Sequence, residues 1–158
     1  MERDATMPTT LAELADHLRD EYYQPSAYHL GPGWSHCGDT YCLEHTPVGF
    51  EAFYVERGQR SDPFWIECAE GSACARFLGL LEGDRTLRLH CVAVSGDVSE
   101  IESIEEILAS EGVQSKRNDI PSMSGAGDPR FRLFVEGRDK RIVDRLVAAG
   151  RIPAVAFG

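Results

Sequence analysis

The stretch that decides the fold is YCLEHTPVGFEAFYVER, residues 41–57. Two runs rich in aromatic and β-branched residues, 41–45 and 50–57, lie on either side of Thr46-Pro47-Val48-Gly49. Such runs favour extended backbone, and a Pro-x-Gly segment between them is typical of a tight turn. The stretch therefore predicts a β-hairpin.

The hairpin extends into a larger sheet on both sides. Residues 27–30 and 64–68 are also predicted as short strands, and alternation in the second places Phe64, Ile66 and Cys68 on one face. Together the four strands predict an antiparallel meander with one buried face.

Two helices flank this meander. Thr10 with Glu13 forms a capping-box pattern and predicts a helix over residues 10–21. A second helix is predicted over residues 70–82, where the following apolar residues recur at helical spacing: Ala73, Cys74, Phe77, Leu78 and Leu81.

The second half of the chain alternates strands and helices. Strand 87–95 has apolar residues on both faces and is predicted to be central, and Ser99 with Glu102 marks the start of a helix that ends at Gly112. The remaining predicted elements are a loop over 114–129, a strand over 131–135, a helix over 139–149 and a last strand over 152–157.

These elements predict an α+β fold, a mainly antiparallel sheet with helices packed on one face. The length of 158 residues fits a single domain. Its N-terminal α-β-meander-α part covers about residues 9–84, and its C-terminal β-α-β-α-β part covers about residues 86–158.

The net charge of −10 is concentrated in the first half. Residues 1–86 hold 15 acidic and 6 basic side chains, whereas residues 87–158 hold 11 and 10. A nucleic-acid partner requires a basic footprint, so an acidic chain favours a basic protein partner instead. The N-terminus is polar, and no apolar run in the sequence is long enough to span a bilayer. We therefore expect a cytoplasmic protein without a membrane partner.

The spacing Cys37-x4-Cys42-x2-His45 suggests a zinc site or a reactive thiol. Structural zinc sites use two separated ligand pairs, and no clear second pair is present. The neighbouring Asp39 and Glu44 disfavour a thiolate. Known catalytic motifs are absent from the sequence, so we expect a protein that is not an enzyme and has neither metal nor cofactor.

Residues 22–84 carry short motifs: YYQPSAYHL, then YCLEH, then EAFYVERGQRSDPFWIECAEGSACARFLGLL. In this order they resemble small bacterial immunity proteins encoded beside polymorphic or secreted toxins, including inhibitors of NAD-glycohydrolase toxins. The glutamate that precedes the "AC" helix in that family would be Glu67 or Glu70.

The resemblance implies a non-catalytic inhibitor that binds a cognate, basic toxin and occludes its active-site cleft. The residues predicted to contact the toxin are Trp34, His36, Asp39, Glu44, Arg57 and Arg60. Two alternatives stay open at this point. One is a small metal- or thiol-dependent enzyme or sensor that uses Cys37, Cys42 and His45, and the other is a general protein-binding adaptor.

Overall fold

A computed structural model describes residues 6–120 and 128–155. Their contacts divide the chain into two compact units, Met1–Leu87 (unit 1) and Arg88–Gly158 (unit 2). Both units combine helices with mostly antiparallel strands, which confirms the predicted α+β fold. Within the described residues, no helix is both long enough and apolar enough to cross a bilayer.

In unit 1 the described residues form two helices and a five-stranded sheet. In chain order the elements are α1 (Leu11–Asp20), β1 (Tyr28–Leu30), β2 (Thr40–Thr46), β3 (Gly49–Glu56), β4 (Gln59–Arg60), β5 (Trp65–Glu67) and α2 (Glu70–Glu82). The helices cover one face of the sheet and enclose a core that includes Leu14, Leu18, Leu43, Ala52, Phe77 and Leu81.

The predicted hairpin is confirmed as β2 and β3, which pair in register from Thr40 opposite Val55 to Thr46 opposite Gly49. Gly49 has φ +134°, and a Cβ atom there would lie 2.7 Å from the carbonyl oxygen of Glu67. This position therefore requires glycine, because both its backbone conformation and the adjacent β5 exclude a side chain.

The prediction of a wholly antiparallel meander is wrong at β1, which pairs with β2 in parallel, Tyr28 opposite Tyr41. Two adjacent parallel strands cannot be joined by a tight turn, so the connecting residues 31–39 must cross one face of the sheet. This segment is therefore a crossover loop.

After β3 the chain turns back, and β4 and then β5 pair with the same edge of β3. Val55 lies opposite Arg60 and Ala52 opposite Trp65, so two extra residues bulge out between the paired segments. Phe64 and Ile66 are 49% and 48% exposed, while Trp65 packs against the core.

Both helices of unit 1 occur where the sequence predicts them. Thr10 caps α1 by accepting a hydrogen bond from the Glu13 N–H, and the Glu13 carboxylate accepts from the N–H and hydroxyl of Thr9. In α2 all five predicted apolar residues are buried. The Leu11 N–H donates to Glu70 Oε1 at 2.8 Å, which links the start of α1 to α2.

In unit 2 the described residues form a three-stranded sheet with two helices on one face. The elements are β6 (Leu89–Ser95), α3 (Val98–Ser110), β7 (Lys116–Ile120), β8 (Arg130–Glu136) and α4 (Asp139–Ala148). The core contains Val92, Ile101, Ile104, Leu108, Leu133, Val135, Val143 and Leu146, among others.

Several predictions for unit 2 are corrected. The central strand is β8, which lies between β6 and β7, so the prediction of a central strand at 87–95 is wrong. The predicted loop over 114–129 contains strand β7, whose five exposed residues have no buried face to produce an alternating pattern. Residues 121–127 of that loop lie outside the described residues.

The ends of the helices in unit 2 also refine the prediction. Asp97, rather than Ser99, caps α3, because its carboxylate accepts from both the N–H and the hydroxyl of Ser99. Helix α4 is confirmed, and Gly150 follows it with φ +70°. Residues 152–155 are not a strand, contrary to prediction, and 156–157 lie outside the described residues.

Candidate functional site

The candidate site lies on the face of the unit 1 sheet opposite the helices. Neighbouring residues are fully buried on both faces of the hairpin: Cys42 beside Leu43, and Ala52 beside Phe53. Because successive strand residues point to opposite faces, the sheet needs a cover on each side. Cys42, Phe53 and Val55 form a second small core, and we call their side of the sheet the Trp34 face.

The crossover loop covers part of the Trp34 face. Trp34 begins a short 3-10 turn (Trp34–His36) and meets Phe53 edge-on, with ring centroids 5.7 Å apart at 79°. Gly33 precedes this turn with φ +94°, and His29 Nε2 lies 2.7 Å from the Pro32 carbonyl oxygen. Local contacts therefore fix the loop so that the half-buried indole covers Phe53.

Arg60 provides the other part of the cover. Its Cζ atom lies 3.8 Å from the centroid of the Phe53 ring, and its nitrogens lie 3.6 Å from Glu44 Oε2 and 3.2 Å from Glu51 Oε2. Glu44 and Glu51 are directly opposed across the hairpin. Like charges in that arrangement repel, so the single guanidinium holds two carboxylates together over an aromatic ring.

This cluster is only partly hydrated. The exposed fractions of the Glu44, Glu51 and Arg60 side chains are 20%, 13% and 24%. Two carboxylates against one guanidinium leave one formal negative charge that the cluster itself does not balance. A partly buried, unbalanced carboxylate favours the approach of a cation.

The β3–β4 turn adjoins the cluster. Arg57 and Gly58 have φ +49° and +77°, the pattern of a type I′ turn, in which asparagine or glycine normally precedes glycine. The Arg57 N–H donates to Asp39 Oδ1 at 3.3 Å, which ties the turn to the crossover loop. An open cleft of about 460 Å³ lies here, lined by Tyr54, Glu56, Arg57, Gln59, Arg60 and Ser61.

The structure brings the sequence-predicted residues together in two groups. Arg60 contacts Glu44 and lies 6.0 Å from the Trp34 ring, while the backbone of Arg57 contacts Asp39. His36 is exposed on the same 3-10 turn as Trp34.

Sequence reasoning missed Glu51 and Phe53 as parts of the site. The hairpin register would have revealed Glu51, because a turn at 46–49 places it opposite Glu44. The role of Phe53 depends on the crossover loop, for which the sequence carries no local pattern.

The structure keeps the Cys37 and Cys42 thiols together but places His45, the third residue of the alternative metal or thiol site, away from Cys42. Burial, together with the neighbouring Cys37 thiol and Glu44 carboxylate, raises the pKa of Cys42 to about 12. His45 lies on the opposite face of the sheet, stacked on Phe50 with ring centroids 4.4 Å apart. Within residues 6–120 and 128–155, no three His, Cys, Asp or Glu side chains are placed to hold a metal ion.

Comparisons of this chain with protein-family models, with curated proteins and with solved structures found no match.

Proposed function

We propose that this chain is a cytoplasmic immunity protein, a non-catalytic inhibitor that binds a cognate bacterial toxin and occludes its active-site cleft without a cofactor. The observation that carries the proposal is the Glu44–Arg60–Glu51 cluster, which holds one unbalanced carboxylate on a sheet face without helices. A cationic group of the toxin would complete the cluster, forming charge-assisted hydrogen bonds with carboxylates that are already held in place.

The overall charge supports a basic partner. Residues 1–86 carry 15 acidic and 6 basic side chains, so unit 1 presents a negative field to an approaching protein. Toxins that act on phosphorylated cofactors or nucleic acids need basic clefts, and an acidic surface accelerates association with such a cleft. The same field opposes the binding of nucleic acid to this chain.

The surroundings of the cluster suit a protein interface. Trp34 is half-buried and presents part of an indole 6.0 Å from Arg60, and tryptophan and arginine are enriched among the residues that dominate binding energy. Arg57 keeps a left-handed backbone conformation that costs an arginine free energy. The Arg57 side chain is exposed at the rim of the open cleft, where contact with a partner would offset this backbone cost.

The test is rescue of growth when this chain is co-expressed with the toxin domain encoded beside it. We expect Glu44→Gln with Glu51→Gln to weaken rescue and to raise the Kd for the purified toxin domain at least tenfold, since two charge-assisted contacts are lost. The matched control is Glu102→Gln with Glu106→Gln, which removes the same charge from the exposed surface of α3.

The control pair should rescue growth like the unchanged chain. Equal weakening by both pairs would mean that net charge acts without a defined site. Full rescue by the Glu44 and Glu51 pair would place the interface elsewhere. A chain that gives no protection against any neighbouring toxin would contradict the immunity function itself.

The two alternatives from the sequence receive less support. A metal- or thiol-dependent enzyme or sensor would need His45 near Cys37 and Cys42, but His45 lies across the sheet from Cys42. A thiol with a pKa of about 12 is also a poor nucleophile near neutral pH. For a general adaptor, no observation favours a partner other than a basic protein.

A further inference from the structure

Among the described residues, strand β7 of unit 2 lies at the edge of its sheet. It pairs with β8 on one side, and no strand in the described part of the chain pairs with the other. All five of its residues are exposed. Unpaired backbone N–H and C=O groups along such an edge can pair with a strand of another molecule.

The sequence of β7, Lys116-Arg117-Asn118-Asp119-Ile120, is complementary to itself when reversed. If a second copy of β7 runs antiparallel about Asn118, each Arg117 lies opposite the Asp119 of the other copy. Each Lys116 then lies opposite Ile120, where the aliphatic part of the lysine can cover the exposed isoleucine.

We propose that two copies of this chain associate through β7, so that their three-stranded sheets join into one six-stranded sheet around a twofold axis at Asn118. The proposal goes beyond the inhibitory function and does not depend on it. The occupant of the edge is a second copy because this register converts every cross-strand charge contact into an attractive one.

The charges of the monomer are arranged for this pairing. Arg117 and Asp119 point to the same face of the sheet, with Arg117 Nη2 3.0 Å from Asp119 Oδ2. Arg117 also lies 3.8 Å from Glu105 of α3. In the dimer the Arg117–Asp119 pairs of the two copies lie side by side. Each Arg117 is then next to two aspartates, the Asp119 of its own copy and the Asp119 of the other copy.

The opposite face has a complementary polar contact. Asn118 Oδ1 accepts a hydrogen bond from Arg132 Nη2 at 2.6 Å, which orients the side-chain amide. At the twofold axis the Asn118 amide groups of the two copies meet, and each NH₂ can donate to the other copy's amide oxygen. Asn118 therefore fixes the register from the face opposite the Arg117–Asp119 pairs.

Charged side chains, especially lysine, often protect an edge strand from association by repelling a second copy. In β7 the register centred on Asn118 has no like charges opposed. Because the strands are short, the interface is below the size of a standard stable complex, and we expect weak, reversible association.

The experiment is sedimentation velocity of the full chain from about 10 to 500 µM, a range that brackets a weak interface of this size. We expect a concentration-dependent shift from monomer to dimer. Arg117→Asp should raise the Kd at least tenfold, because it places aspartates opposite one another. The double variant Arg117→Asp with Asp119→Arg should return the Kd to within about threefold of the original, because the attractive pairs are re-formed with exchanged partners.

Arg145→Asp, which makes the same charge change on the exposed side of α4, is the matched control and should leave the Kd unchanged. If Arg117→Asp perturbs folding, judged by circular dichroism, Asp119→Arg tests the same contact with the opposite charge. A chain that stays monomeric throughout overturns the proposal, as does equal weakening by Arg117→Asp and Arg145→Asp. Failure of the folded double variant to regain dimerisation also overturns it.

Discussion

The sheets of the two units differ in how their faces are covered. In unit 1 the central hairpin is buried on both faces, by helices on one and by Trp34 and Arg60 on the other. In unit 2 the central strand β8 alternates, with Leu133 and Val135 buried beneath helices and Arg132 and Phe134 on the partly exposed side. In regularly paired strands, consecutive buried residues thus require a cover on each face of the sheet, whereas strict alternation requires a cover on one face.

The comparison also separates two uses of arginine on a sheet face. Arg60 is held by two carboxylates above Phe53. Arg132 lies 5.6 Å from the Phe134 ring and donates to Asn118, but its buried Nε has no hydrogen-bond partner in the described structure. The first arginine belongs to a closed cluster with an excess negative charge, and the second lies on a partly exposed face, where its hydrogen bond is to an amide oxygen.

The largest expected effect is the removal of an aromatic ring from the doubly covered sheet. Phe53→Ala should lower the free energy of unfolding by about 3–5 kcal/mol, because it leaves a cavity beneath Trp34 and Arg60. Phe134→Ala is the matched change on the open face and should cost about 1 kcal/mol. Urea unfolding followed by circular dichroism measures both free energies of unfolding. Equal losses of stability would contradict the conclusion that Phe53 is covered and Phe134 is not.

Replacement of Arg60, which covers Phe53, is expected to have an intermediate effect on stability. Arg60→Met keeps much of the aliphatic contact with Phe53 but leaves Glu44 and Glu51 facing each other, so it should destabilise the chain by about 1–2 kcal/mol. Adding Glu44→Gln and Glu51→Gln to Arg60→Met should recover most of that loss in the same urea measurement. No recovery would mean that repulsion between the carboxylates is unimportant.

The smallest expected effect is a gain in stability. Arg57→Asn creates the Asn-Gly pair that a type I′ turn prefers and should raise the free energy of unfolding by about 0.5–1 kcal/mol. If Arg57 contacts the toxin, the same variant should bind the toxin domain more weakly while melting at a higher temperature. A variant that is less stable would show that its side chain contributes to the fold.

Local patterns in the sequence were sufficient for much of this fold. Helix α2 follows from five apolar residues at helical spacing, and the β2–β3 hairpin from two strand-like runs around a turn. Non-local choices were not predictable in the same way. The parallel pairing of β1 depends on where the crossover loop passes, and exposed β7 lacks the alternation that would mark it as a strand.

The candidate site was predictable in its charged residues more than in its packing. Glu44 and Arg60 were identified from the sequence, and the structure places them in contact. The packing of Trp34 on Phe53 was not predicted, because it joins residues from the crossover loop and β3 that share no local pattern. The role of each residue in binding stays a prediction.

The parallel pairing of β1 with β2 has a consequence for local opening of the native state. The β2–β3 hairpin can form and persist by local contacts, whereas β1 contributes three residues at the sheet edge and is joined through the crossover loop. Release of β1 would therefore free the loop, lift Trp34 from Phe53 and admit water to the Cys42 thiol without unfolding the helices. Amide hydrogens of β1 should accordingly exchange with solvent faster than those shared by β2 and β3, and a bound partner on the Trp34 face should slow that exchange.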